Sequence, residues 1–253
     1  MTAFPRTRNA ALVGAVCTAL ALALAGCAEE DPDAGTNGVG RLAPQKIETK
    51  ALKAVEGATS VRLSGSVVSQ GRTYRIDMRL KQGERGGGVG EVATKDSTFE
   101  LLRVGDALYL KADADFWAHQ HSGEARKSDN SAADKLEHKY VKVPSGDSAY
   151  QQLSGFTDME LLLEGLLGLH GRLTAGDRDS VGGVRTVRVE AGNKGEGGAL
   201  DVSLEGTPYP LRLQRAGGAG ELELVDWNED FTLKPPSKDD IVDYGKQISA
   251  AGG

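Results

Sequence analysis

Along most of the chain, apolar and polar residues alternate with a period of two, the pattern of strands that bury one face. Val61 to Val67 alternates in this way. So does Thr73 to Leu80, which puts Tyr74, Ile76, Met78 and Leu80 on one side. Gly71 and Gly83 punctuate the ends, and Gly88 to Ala93 and Ser97 to Val104 continue the series. Gly105-Asp106 then turns the chain into Ala107 to Ala112. Further strands are expected at 140–143, 183–190, 199–204, 210–214, 220–225 and 231–233. The gaps between them are too short for parallel crossovers, so the sheet is expected to be antiparallel.

Two segments depart from this period. From Gln45 to Ala58, the residues Ile47, Ala51, Ala54, Val55 and Ala58 recur at helical spacing among Lys and Glu, which predicts an amphipathic helix. A second helix is predicted over 157–169. Thr157 and Glu160 have the spacing of a capping box, Phe156 and Leu161 that of a hydrophobic staple, and Gly171 follows as a stop. Six of the nine residues from 161 to 169 are Leu, more than one amphipathic stripe requires. Such a helix is buried on most sides or lines an apolar space. The stretch 116–134 is polar and without period, a long loop or flap, and the polar tail holds one short helix near 239–248. One α+β domain over 45–253 accounts for the pattern.

Composition changes this picture mainly at the N-terminus. Arg6 and Arg8 precede an uncharged, Ala-dominated run that ends in Leu24-Ala25-Gly26-Cys27, followed by an acidic cluster. A basic start, a modest apolar core and small residues before a cut describe a secretory signal peptide. The last four residues also resemble the bacterial lipobox, which implies cleavage after residue 26 and diacylglycerol on the thiol of Cys27. Residues 27–44 then read as the acylated cysteine and a flexible tether, being rich in Gly, Pro and acidic groups. Cys17 leaves with the peptide, so no disulfide or thiol metal site is expected. The two arginines leave as well, taking the net charge from −6 to −8. That acidity argues against nucleic acid or anionic headgroups as general partners. The expected location is the extracytoplasmic side of the cell membrane, held by the acyl chains.

Candidate chemistry adds little. His119 and His121 could offer two imidazoles on one strand face, but no third ligand stands at a recognisable spacing. Gly86 to Gly90 lacks the Lys-Ser/Thr of a phosphate loop, and no G-x-S-x-G elbow occurs. No catalytic residue, metal or cofactor is expected. The apolar strand faces are more informative. Tyr74, Ile76, Met78 and Leu80, then Phe99 and Leu101, then Leu108 and Leu110 either form an ordinary core beneath the Leu-rich helix or curve around a lipid cavity. Periodicity alone does not separate the two.

The lipobox, the polar tether, the N-terminal helix and the many antiparallel strands together resemble the LppX/LprG envelope lipoproteins of actinobacteria. Local matches are the Gly65 region, Val104 to Leu110 (VGDALYL), Phe116-Trp117, Pro210, Leu224 to Asn228 (LVDWN) and Pro235. The resemblance implies a strongly curved antiparallel half-barrel, LolA-like, with the N-terminal and Leu-rich helices over its concave face. It further implies an apolar cavity that holds or moves an acylated lipid without catalysis. The cavity residues would be Tyr74, Ile76, Met78, Leu80, Phe99, Leu101, Leu108, Leu110, Leu162, Leu163 and Leu166, with Phe116 and Trp117 at the base of an entrance flap. The chain has only 13 aromatic residues, which points to a small or collapsed cavity. The alternative is an anchored scaffold or chaperone-like module that binds another envelope protein and has no lipid cavity.

Overall fold

The computed structural model describes residues 31–69, 71–113, 116–117, 136 and 138–242. The expected signal peptide, Cys27, His119, His121, most of the 116–134 flap and the tail after Val242 lie outside the described residues. Helix α1 (Pro44–Glu56) leads into β1 (Ser60–Ser69), β2 (Arg72–Lys81), β3 (Gly87–Ala93), β4 (Thr98–Val104), β5 (Ala107–Ala112) and β6 (Tyr140–Val143). Two helices follow, α2 (Ser148–Ser154) and α3 (Met159–Leu167). The chain continues as β7 (Leu173–Val181), β8 (Val184–Ala191), β9 (Ala199–Ser203), β10 (Pro210–Gln214), β11 (Gly220–Val225) and the short β12 (Ile241–Val242).

All twelve strands join one sheet in the order β12-β6-β5-β4-β3-β2-β1-β11-β10-β9-β8-β7. Two meanders are thus fused where β1 meets β11. At that junction Leu63 lies between Met78 on one side and Leu224 on the other. Every pairing is antiparallel except β12 on β6. A period of two sends Leu63, Ile76, Met78, Leu80, Leu101, Leu108, Val189, Leu200, Leu222 and Leu224 to one face, where each is buried. Gly65 interrupts β1 with a φ of 144°, and a β-carbon there would lie 2.2 Å from the Glu221 carbonyl oxygen. Only glycine allows β1 and β11 to approach so closely at this bend.

The helices divide the inner face between them. Helix α1 starts on Pro44 at its first turn and buries Ile47, Ala51 and Val55 against the β7–β10 half. Helix α3 crosses the other half. At its start a β-carbon on Gly88 would lie 3.2 Å from Thr157 Cα, so the bare backbone of β3 admits the turn before the helix. Beyond its end, the His170 amide donates to the Gly197 carbonyl at 2.9 Å, next to β9.

Several expectations need correction. The cap of α3 is Asp158, whose carboxylate accepts the Leu161 amide at 3.1 Å, and the helix ends at Leu167. Thr157 is fully buried and is held by Arg103 instead of closing a capping box with Glu160. With the cap one residue later, the staple spacing shifts, and Leu161 is left 62% exposed. Residues 231–233 form no strand. Phe231 lies under the Arg79 guanidinium at 4.9 Å, on a segment that leaves β11 and ends as β12 on the far edge of the sheet. At the start of the expected tail helix, 238–240 form a 3-10 turn and 241–242 a strand, while 243–248 lie outside the described residues.

The second half of the expected tether is folded. Val39 is 3% exposed and belongs to the core, the Asn37 amide donates to the Leu204 carbonyl at 2.8 Å, and its side chain donates to the Ser203 and Gly206 carbonyls. Composition suggests a linker here, but the polar groups of 35–43 satisfy those at the ends of the strands. Strand β7 went unannounced for a related reason. Only Val181 of its nine residues is buried, because it is an edge strand with a register shift between Ala175 and Arg178.

Candidate functional site

Helix α1 covers one half of the inner face by direct packing. Over the other half, α2 and α3 stand off the sheet. Between them lies a cavity of about 1000 Å³. Its floor is Val67, Tyr74, Ile76, Phe99, Leu110, Val141 and Val143 from strands β1, β2, β4, β5 and β6. Its roof is Leu153, Phe156, Leu161, Leu162, Gly165 and Leu166. Phe116 and Trp117 close one side. The Phe116 ring packs 5.4 Å from Phe99 and edge-on to Trp117 at 5.2 Å, and its amide donates to the Asp113 carboxylate at 2.7 Å.

A latch sets the height of the roof. Arg103 follows Phe99 and Leu101 on the inward face of β4, an unusual place for a cation. Its Nε donates to Thr157 Oγ1 at 3.0 Å and its Nη2 to the Thr157 carbonyl at 2.9 Å and the Asp158 carboxylate at 3.2 Å. Nη1 reaches the Gly105 carbonyl at 3.3 Å. The guanidinium therefore pins the start of α3 at one end of the sheet. The cavity extends from Val143 and Asp147 to Ser69 and Arg72, which flank the β1–β2 turn.

The residues singled out in the sequence separate into two groups. Tyr74, Ile76, Phe99, Leu110, Phe116, Trp117, Leu162 and Leu166 line the cavity. Met78, Leu80, Leu101, Leu108 and Leu163 do not; they are packed in the core nearer the latch. Leu163, with Met159 and Leu167, faces the sheet, whereas Leu162 and Leu166 face the space beside it. Sequence reasoning missed Val67, Val141, Val143 and the whole of α2 (Ser148–Ser154). Helix α2 has no buried residue, so no apolar stripe marked it. Its signal was Asp147, whose carboxylate caps the Ala149 amide at 2.9 Å.

Among the described residues, no group of three or more His, Cys, Asp or Glu is placed to hold a metal ion. Nor is any described helix long and apolar enough to cross a membrane. The arrangement offers a largely apolar space bordered by Arg72, Lys142, Asp147 and Arg215, which suits the chains of a hydrophobic ligand.

No protein-family profile matches the sequence, and no curated protein does either. Solved structures do match. LprF from Mycobacterium bovis superposes with a TM-score of 0.50 at 16% identity, over 77% of this chain and 97% of that one. The lipoprotein LppX from Mycobacterium tuberculosis gives a TM-score of 0.44 at 14% identity, over 76% and 98%. The likeness to LprF is one of fold: an α+β chain with one curved, mostly antiparallel sheet covered by helices, as the resemblance to the LppX/LprG lipoproteins implies.

Proposed function

We propose that this chain is an envelope lipoprotein, anchored on the extracytoplasmic side of the membrane through acylated Cys27, that binds a lipid between its sheet and helices α2 and α3. The observation that carries the reading is the apolar cavity of about 1000 Å³ on the concave face. Acyl chains entering it would leave water with a gain of about 25 cal/mol per Å² of apolar surface buried. The fold shared with LprF supports the same reading. Binding or transfer, and no catalysis, is the activity proposed.

Two measurements test it. Mass spectrometry of the protein from membranes should give an N-terminus at a diacylglyceryl Cys27, and any other N-terminus removes the anchor. For the cavity, the full chain carrying Cys27→Ser should retain lipid on native mass spectrometry and take up a pyrene-labelled fatty acyl probe. Protein that carries no lipid and does not take up the probe would end the carrier reading.

A further inference from the structure

The apolar cavity is one half of a two-part space. A polar cleft of about 1160 Å³ lies between the β1–β2 and β3–β4 turns, and it shares Arg72, Tyr74, Phe99 and Phe116 with the cavity. Thr73, Thr94 and Ser97 supply hydroxyls to its walls. The charge around the combined space runs against that of the chain. Five cations, Arg72, Arg75, Lys95, Lys142 and Arg215, face only two carboxylates, Asp96 and Asp147, in a protein whose net charge is −6.

None of the five makes an ion pair or a side-chain hydrogen bond with any described residue. Several arginines elsewhere are engaged, as Arg62 is with Asp77 and Arg188 and Arg212 are with Asp201. Arg72 has the most telling position. It sits two residues before Tyr74 and four before Ile76, on the inward-facing side of β2, and it borders both the cavity and the cleft. Arg215 reaches the same cavity from the connection between β10 and β11. An unpaired guanidinium at the edge of an apolar space recognises phosphate through paired, charge-assisted hydrogen bonds.

From this we infer that the ligand is an anionic amphiphile: its acyl chains occupy the apolar cavity, and its phosphate-bearing headgroup lies where cavity and cleft meet, against Arg72, with Arg215 on the cavity side. The inference rests on the lipid-binding reading above and adds the class of headgroup. It also accounts for cations gathered at this mouth of an acidic protein, since low-dielectric walls focus their field there.

The test compares two probes with identical pyrene-labelled chains, phosphatidylglycerol and phosphatidylcholine, on the full chain carrying Cys27→Ser. The anionic probe should bind about tenfold more tightly, the equivalent of roughly 1.4 kcal/mol. The preference should shrink as salt rises. Replacing both cations (Arg72→Gln with Arg215→Gln) should bring the anionic probe down to the affinity of the zwitterionic one, and Arg72→Lys should keep part of the preference. Lys50→Gln, which removes a charge on the exposed side of α1, controls for net charge and should change neither affinity. Equal binding of the two probes by the parent protein, or a double variant that weakens both in the same proportion, overturns the headgroup inference and leaves the cavity reading intact. Displacement of the anionic probe by inorganic phosphate at the same concentrations would assign the cluster to free anions instead and overturn it too. Binding of neither probe would remove the cavity reading and this inference with it.

Discussion

Asp201 is the most deeply buried charge on the outer face of the sheet, at 1% exposure. It is stable there because Arg212 Nε donates to it at 2.6 Å and Arg188 Nη1 at 3.1 Å. Asp201→Asn would remove the buried charge that the two guanidiniums share and leave Arg188 to Glu190 and Arg212 to Asp179, which should cost about 1–3 kcal/mol and show as a lower denaturant midpoint. The Arg62–Asp77 pair shows the opposite limit. Its two contacts are 2.8 and 2.9 Å, yet both side chains are nearly half exposed. The hydrogen bond from Arg62 holds the Asp77 carboxyl below the usual carboxylate range, against the opposing effect of partial burial. A carboxylate with a lowered pKa stabilises the fold at neutral pH and stops doing so as pH falls through the lowered value. Solvent screening limits that contribution to about 0.5 kcal/mol. Asp77→Asn should therefore lower stability slightly at neutral pH, and its melting curve should coincide with that of the parent in acid below that value.

Helix α3 depends on one residue that carries no side chain at all. The β-carbon of any replacement at Gly88 would meet Leu80 Cδ2 at 2.6 Å and Thr157 Cα at 3.2 Å. Gly88→Val should push the Thr157 turn off the sheet, break its contacts with Arg103 and destabilise the protein by about 1–3 kcal/mol. Hydrogen exchange should report the loss first in the amides of α3. This dependence also shows what could be read from sequence. Strands β1 to β5 fall within a residue or two of the limits set by alternation, because each presents one buried and one wet face. Strand β7 does not, since an edge strand with eight of nine residues unburied has no alternation to display. The cap of α3 falls one residue after the expected Thr157 because Thr157 and Asp158 are equally good caps locally. The choice between them is made by Arg103, 54 residues earlier in the chain. The extent of the cavity was hidden in the same way. Period two identified which side of each strand faces inward, but not where along the strand the roof stops touching the floor.

That boundary is set by the whole molecule. Residues 35–43 and α1 fill the β7–β10 half of the concave face, and the Arg103 latch presses α3 onto the sheet near Gly88. Among the described residues, a space under α2 and α3 beside that contact is left unfilled, so neighbouring leucines of one helix acquire different tasks. Leu163 is 2% exposed and packs in the core, whereas Leu166 lines the cavity. Truncation at the first site leaves a void among close-packed neighbours, and enlargement at the second consumes space that nothing in the fold requires to be filled. Leu163→Ala should thus destabilise the protein by about 2–5 kcal/mol. Leu166→Trp should leave the thermal midpoint close to that of the parent while reducing uptake of the pyrene-labelled acyl probe several-fold. A Leu166→Trp protein that melts early would mean this helix face is core after all. A stable one that still takes up the probe in full would place the acyl chains elsewhere.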